Sequence, residues 1–331
     1  AANNKMTLNV QTDFYNLIVD KGVNKNYELE LYSSNISNFI LYGANSVGRI
    51  TSGSYSTADP LVRKALFIKT GTLKLTGNVD IPTLSEGDDD GGNGDYAIGQ
   101  NARLWIAGSN ATVYSTASAQ SEVTGFETTA QGVDTGSSNQ ALSLFGEFRI
   151  SDGFFGTRNS AGFIFWSDAN SQVKIEGGTV NVAQMRSSNS GSGQASYTQS
   201  GGLVEVRGDA DGYAGEVSGS RPIFGFASST GVFNMSGGEL LIKDTGGSTT
   251  NGFYIPSAEG NYNVTGGTVT IRIASGNDFE IGSTAPVWDL NIEQLSGTGT
   301  SIVRLTSDLT VADDLSIDPN CRLDVQDDED N

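Results

Sequence analysis

Histidine is absent from this chain, which removes the commonest zinc ligand, the commonest general base and any Ser-His-Asp triad. A single cysteine, Cys321, excludes an intrachain disulfide, so structural staples have to come from elsewhere. Proline is scarce, at six in 331 residues, and basic side chains number 19 against 38 acidic ones. The resulting formal charge of −19 repels phosphate backbones and anionic lipid, which argues against nucleic acid and membrane surfaces as partners. No run of 18 apolar residues and no basic-then-apolar leader occurs, so no direct membrane insertion and no export signal is expected of the sequence as it stands.

What is present is glycine, 43 residues of it, set in a recurring phrase. Val173-Lys174-Ile175-Glu176-Gly177-Gly178-Thr179-Val180-Asn181-Val182 returns around Gly201-Gly202, Gly237-Gly238 and Gly266-Gly267. Apolar and polar residues alternate on both sides of each glycine pair, the pattern of half-buried strands meeting at a corner. A third strand precedes three of the four copies: Phe163-Ile164-Phe165-Trp166, Ile223-Phe224-Gly225-Phe226 and Phe253-Tyr254-Ile255. The unit is therefore three short strands separated by turns. Self-similarity at this period predicts stacked coils in place of one globular core.

Successive second glycines are 24, 36 and 29 residues apart, so the strands keep step while the loops vary. The extra length falls in polar, Gly/Ser-rich stretches at 85–94, 117–139 and 186–196, which read as surface excursions. At roughly thirty residues per coil and about 4.8 Å per strand, the chain predicts ten or eleven coils and a rod on the order of 50 Å. The expected fold is all-β: a right-handed parallel β-helix (β-solenoid) over residues 1–331, with irregular loop excursions and an acidic end or linker at 318–331. Its register places Val264, Val269 and Ile271 in the bore beside Met235, Leu240 and Ile242.

The two ends echo each other. Phe14-Tyr15-Asn16-Leu17-Ile18-Val19 is matched 273 residues later by Val287-Trp288-Asp289-Leu290-Asn291-Ile292, which suggests about one module of a longer array. The phrases Leu305-Thr306-Ser307-Asp308-Leu309-Thr310-Val311-Ala312-Asp313-Asp314-Leu315-Ser316-Ile317 and Trp288-Asp289-Leu290-Asn291-Ile292, with the strand-Gly-Gly-strand copies, resemble the β-helical repeats of very large secreted surface proteins of Bacteroidota. That group includes the giant adhesins used in gliding. The resemblance implies an extracellular, cell-surface location and a structural or adhesive role, and it brings no catalytic residues with it.

Three groups of residues are candidates for chemistry. The loop Glu86-Gly87-Asp88-Asp89-Asp90-Gly91-Gly92-Asn93-Gly94-Asp95 interleaves carboxylates with glycine, which suits calcium, although Asp88 to Asp95 lacks both the EF-hand spacing and a repeated nonapeptide; a solvated acidic loop is the plainer reading. Asp152 with Arg158 and Asp168, and Arg207 with Asp209 and Asp211, are the charges a polysaccharide lyase or hydrolase would draw on, but their spacing does not set them apart from loop charges. Phe154, Phe155, Phe163, Phe165, Trp166, Phe224, Phe226, Phe253 and Tyr254 form an aromatic file. Alternation requires one of Phe165 and Trp166, and one of Phe253 and Tyr254, to face outward or sit in a turn, where an aromatic could stack on sugars. Four Asn-x-Ser/Thr sequons, at Asn35, Asn110, Asn234 and Asn263, match chance expectation in so Asn-, Ser- and Thr-rich a chain.

The expectation is therefore a non-enzymatic extracellular stalk or filament segment that needs no cofactor. Its expected partners are neighbouring modules or subunits of the same protein, with glycans or solid surfaces at its exposed face. A carbohydrate-binding or polysaccharide-degrading β-helix, and a self-assembling fibre subunit, are the alternatives.

Overall fold

The structure, a computed structural model, describes residues 3–14, 17–41, 66–81, 96–115, 142–157, 163–166, 168–187, 195–208, 222–244 and 249–325. One coil shows how the rest are built. Gln172–Ile175 forms the first face, the chain bends through Gly177-Gly178 into Thr179–Val182 on the second, and Gln184–Ser187 forms the third. Each strand bonds in parallel to its equivalents one coil before and one coil after: Ile150 to Ile175 to Gln199 on the first face, Phe155 to Val180 to Val204 on the second, Ile164 to Met185 to Phe224 on the third. The chain is a parallel β-helix, and the period-two alternation of its sequence is the alternation between bore and exterior.

Third-face strands mark the coils. Leu17–Asp20 and the start of Leu66–Gly77 open the series. A nine-stranded file follows: Tyr96–Ile98, Leu142–Leu144, Phe163–Trp166, Gln184–Ser187, Phe224–Gly225, Thr249–Ile255, Asp278–Ser283, Ser301–Leu305 and Cys321–Val325. Among the described residues this makes eleven coils, about 50 Å of stack at ~4.8 Å per strand. Among the described residues the bore is lined by one apolar cluster running from Leu8 to Val303.

In the later coils the corner does not break the strand. Ser196–Val206, Val232–Asp244 and Tyr262–Ala274 each run through their glycine pair with a shift of register there, so the first two faces merge into one 16-stranded sheet. The expectation of three separate strands is corrected at these coils to one bent strand and one separate strand. Gly202 shows why the corner demands glycine: its φ is +72°, and a Cβ there would lie 2.6 Å from the carbonyl oxygen of Gly178 in the coil before.

The bore follows the expected register: Leu240 pairs with Val269 and Ile242 with Ile271, all within 1% of full burial. Val264, opposite Met235, is only half-buried, because the first face ends with its strand. The last two coils carry only second-face and third-face strands, Asp289–Ser296 and Leu315–Ile317 against Ser301–Leu305 and Cys321–Val325, with a single bridge between Val287 and Val311 beside them. The echoing end segments occupy different places in the coil. Leu17 to Val19 pairs on the third face with Leu66 to Ile68, whereas Leu290 to Ile292 pairs on the second with Val269 to Ile271.

Aromatic rings stack within the bore as the file suggested. Phe224 and Phe253 lie 5.9 Å apart at 17°, and Tyr197 and Phe233 lie 5.7 Å apart at 9°. Phe253 is buried and its neighbour Tyr254 is half-buried on the outer side. Phe165 and Trp166 also face opposite sides, but the outward one does not reach solvent: Phe165 is fully buried against Ala183, with the Arg186 guanidinium 4.5 Å over its ring.

Candidate functional surface

The exterior of the first face follows from the register. Lys5, Glu30, Lys74, Trp105, Arg149 and Lys174 stand one above another on consecutive coils, alternating in sequence with bore residues such as Leu31, Leu75 and Ile106. Lys5 Nζ donates to Glu30 at 2.8 Å, and Lys74 Nζ lies 4.1 Å and Arg149 Cζ 3.8 Å from the Trp105 ring centre. The indole Nε1 donates to Ser151 Oγ at 2.9 Å. The ring is thus engaged by cations of its own chain from the coils on either side, which occupies the surface a sugar would need. Glu176 receives Arg149 Nε at 2.8 Å and Lys174 Nζ at 2.7 Å. Partial burial would raise its pKa, but these two partners outweigh that and hold it below the usual value.

A second line runs beside the first. Glu147, 4% exposed, accepts from Arg103 at 2.8 Å and faces Lys25 Nζ at 3.4 Å, while that lysine also donates to Gln172 at 3.3 Å. Arg103 donates further to Thr72 Oγ1. Similar pairs cross coils elsewhere: Lys243 with Glu205 and Arg272 with Glu293 on the second face, and Arg304 between Asp278 and Asp324 on the third. These charges neutralise one another along the stacking direction, and the arrangement ties coil to coil.

The candidate residues that the structure describes, Asp152, Asp168 and Arg207, are not brought together. Asp152 is exposed at the corner between first and second faces, accepting from the Gly153 amide at 2.8 Å. Asp168 precedes the first-face strand of the next coil, Gln172–Ile175, at the corner between third and first faces, and accepts from Gln100. Arg207, at the end of a second-face strand, donates to the Asn181 side-chain carbonyl. Arg158, Asp209, Asp211 and the loop from Glu86 to Asp95 lie outside the described residues, as does the end beyond Val325. Among the described residues no three His, Cys, Asp or Glu side chains converge as a metal site, and no helix is long and apolar enough to cross a membrane. An open cavity of about 260 Å³ beside Ile36, Phe39, Ile40 and Leu41 holds one ionisable group, Asp80, which already accepts from Thr112.

The outward aromatic pair Tyr114 and Phe154 has ring centres 5.3 Å apart at 49°, which gives no flat stacking platform. Asn234 and Asn263 lie in strands, on the outer side, since their neighbours Met235 and Val264 take the bore positions. Asn35 caps a 3-10 turn at Ile36–Asn38, its side chain accepting from the Ser37 amide at 3.0 Å.

One buried polar pair escaped the sequence reading. Tyr197 donates its hydroxyl to Gln199 Oε1 at 2.6 Å inside the bore, and Gln199 Nε2 donates to the Glu239 carbonyl at 3.0 Å and the Gly202 carbonyl at 3.3 Å. The glutamine satisfies carbonyls that the glycine corner turns inward, and burial raises the Tyr197 pKa well above its usual value. The signal was present: Tyr197-Thr198-Gln199-Ser200-Gly201-Gly202 matches Phe233-Asn234-Met235-Ser236-Gly237-Gly238, with a glutamine at a bore position.

No family model, no curated protein and no solved structure matches this chain.

Proposed function

We propose that the chain is a non-enzymatic structural module of an extracellular surface protein, a stiff stalk or filament segment that holds binding elements away from the cell. The observation that carries this reading is the continuous bore from Leu8 to Val303, flanked by charges that pair from coil to coil. Such a body has its side chains committed to its own stack. The separation of Asp152, Asp168 and Arg207 on different corners favours this role over polysaccharide cleavage. The resemblance of the repeats to Bacteroidota surface adhesins supports the same location and role, with neighbouring modules, glycans or solid surfaces as partners.

The test is incubation of the purified chain with a panel of neutral and acidic polysaccharides, following new reducing ends and unsaturated uronate absorbance, alongside small-angle scattering. No release from any substrate and a thin rod profile are the expected results. Turnover that disappears in Asp168→Asn or Asp152→Asn while the rod stays folded would replace this reading with a carbohydrate-active one.

A further inference from the structure

The large apolar side chains exposed among the described residues gather at the two ends of the stack. Val10, Ile18, Val23 and Ile36 lie in the first two coils, and Leu315, Ile317 and Val325, at 47%, 39% and 65% exposure, lie in the last. The far end is the more telling. Leu315 and Ile317 pair with Leu290 and Ile292, and Leu323 pairs with Val303, all of which are buried in the bore. These are bore positions with no described coil above them. At the near end Met6, Phe14 and Leu17 pair with the buried Leu31, Leu41 and Leu66 and are themselves only half-buried. The outer backbone edges of both end coils have no strand partner among the described residues, and such edges are templates for further pairing.

We propose that these ends fit each other: the last coil of one copy docks on the first coil of a second copy, head to tail, continuing the bore and the parallel ladders across the junction. This rests on the structural-module reading and names its partner as a second copy of this chain. The strand order permits it. The last coil runs from a second-face strand, Leu315–Ile317, to a third-face strand, Cys321–Val325; the first coil opens with a first-face strand, Asn4–Leu8, and then runs in the same order from Thr12–Phe14 to Leu17–Asp20, so the two ends match on the second and third faces. Translation along the axis therefore sets Phe14 over Ile317 and Leu17 over Leu323, with these strands still parallel, while Val19 is already covered within its own chain.

Charge selects this orientation over tail to tail. Residues 306–325 carry five aspartates against one arginine, whereas residues 3–27 carry three lysines against two aspartates. Two acidic ends would repel, but an acidic end meeting a slightly basic one does not. Because the contact is head to tail and does not close, it generates a filament. The strands of the end coils are three to five residues long, so at ~3.3 Å per residue an end presents no more than about 300 Å². That is well below the ~800 Å² per partner of a stable complex, so association is weak and depends on concentration.

Sedimentation velocity and small-angle scattering on the whole chain, from micromolar to several hundred micromolar, test the proposal. The weight-average mass should at least double over that range at constant cross-section, and Leu315→Asp/Ile317→Asp should stay monomeric throughout. Those side chains are exposed, so the double variant should melt with the parent; if it does not, Val325→Asp takes its place. A parent monomeric at every concentration would overturn the stacking while leaving the rod-like, inactive module standing. Growth by thickening would mean side-by-side contact and would also overturn it.

Discussion

Replacing Phe253 and Tyr254 one at a time by alanine isolates the alternation on which the bore depends. The two are neighbours in one third-face strand, yet Phe253 is 1% exposed and stacked 5.9 Å from Phe224, with Phe233 6.3 Å away. Phe253→Ala removes a fully buried ring and leaves a cavity between coils, which costs about 3–5 kcal/mol. Tyr254 is half-buried outside, its ring against Gly282, so Tyr254→Ala forfeits roughly half of the ~1.5–3 kcal/mol that full burial of a large side chain contributes. Urea unfolding followed by circular dichroism, with native-state hydrogen exchange to locate the damage, reads both. The expected ratio of destabilisation is at least twofold, and lost protection in Phe253→Ala should centre on the coils of Phe224 and Phe253. Equal losses, or a larger loss for Tyr254→Ala, would refute the inward assignment of the whole third face.

The glycine corners make a second comparison, because Gly202→Ala meets both a positive φ and a carbonyl at 2.6 Å, whereas Gly260→Ala meets a φ of +88° with nothing within 4 Å. Gly260→Ala should cost only about 1 kcal/mol, and Gly202→Ala should lower the urea midpoint by clearly more. In acid, Glu176 and Glu30 have depressed folded pKa values, Glu176 against its burial through Lys174 and Arg149, and Glu30 first through Lys5. Their stabilisation is fully present above the unfolded value near 4.5 and is lost as pH falls through the folded value. The midpoint difference between the parent and Glu176→Gln should therefore hold at pH 6 to 7 and shrink progressively as pH falls below the unfolded value; a difference that stays constant across the acid range would assign the effect to packing.

Much of the fold was legible because its determinants are local. Alternation fixed the strands, and Gly177-Gly178, Gly201-Gly202, Gly237-Gly238 and Gly266-Gly267 marked where they bend. Val264 was harder, since its half-burial depends on the first face ending at its strand, a property of coils that come later in the chain. Phe165 was harder for a related reason: alternation gives the side it faces but not that Arg186 and Ala183 cover it. The surface was the least legible. Glu147 meets Arg103 at a separation of 44 residues, and Trp105 meets cations from two other coils, so these contacts exist only once the register is known. Asp152 and Asp168, close in sequence, are parted by the length of a first-face strand.

Hydrogen bonds between coils point along the rod, so a pull on its two ends loads them one coil at a time. Each coil that peels away frees the residues between equivalent positions: 36 from Tyr197 to Phe233, 29 from Phe233 to Tyr262, and 20 from Val303 to Leu323. At ~3.5 Å per extended residue, these are steps of about 125, 100 and 70 Å. Under tension the uneven loops would become a ladder of unequal extensions, and a rod about 50 Å long at rest could pay out many times that length while its remaining coils stay folded.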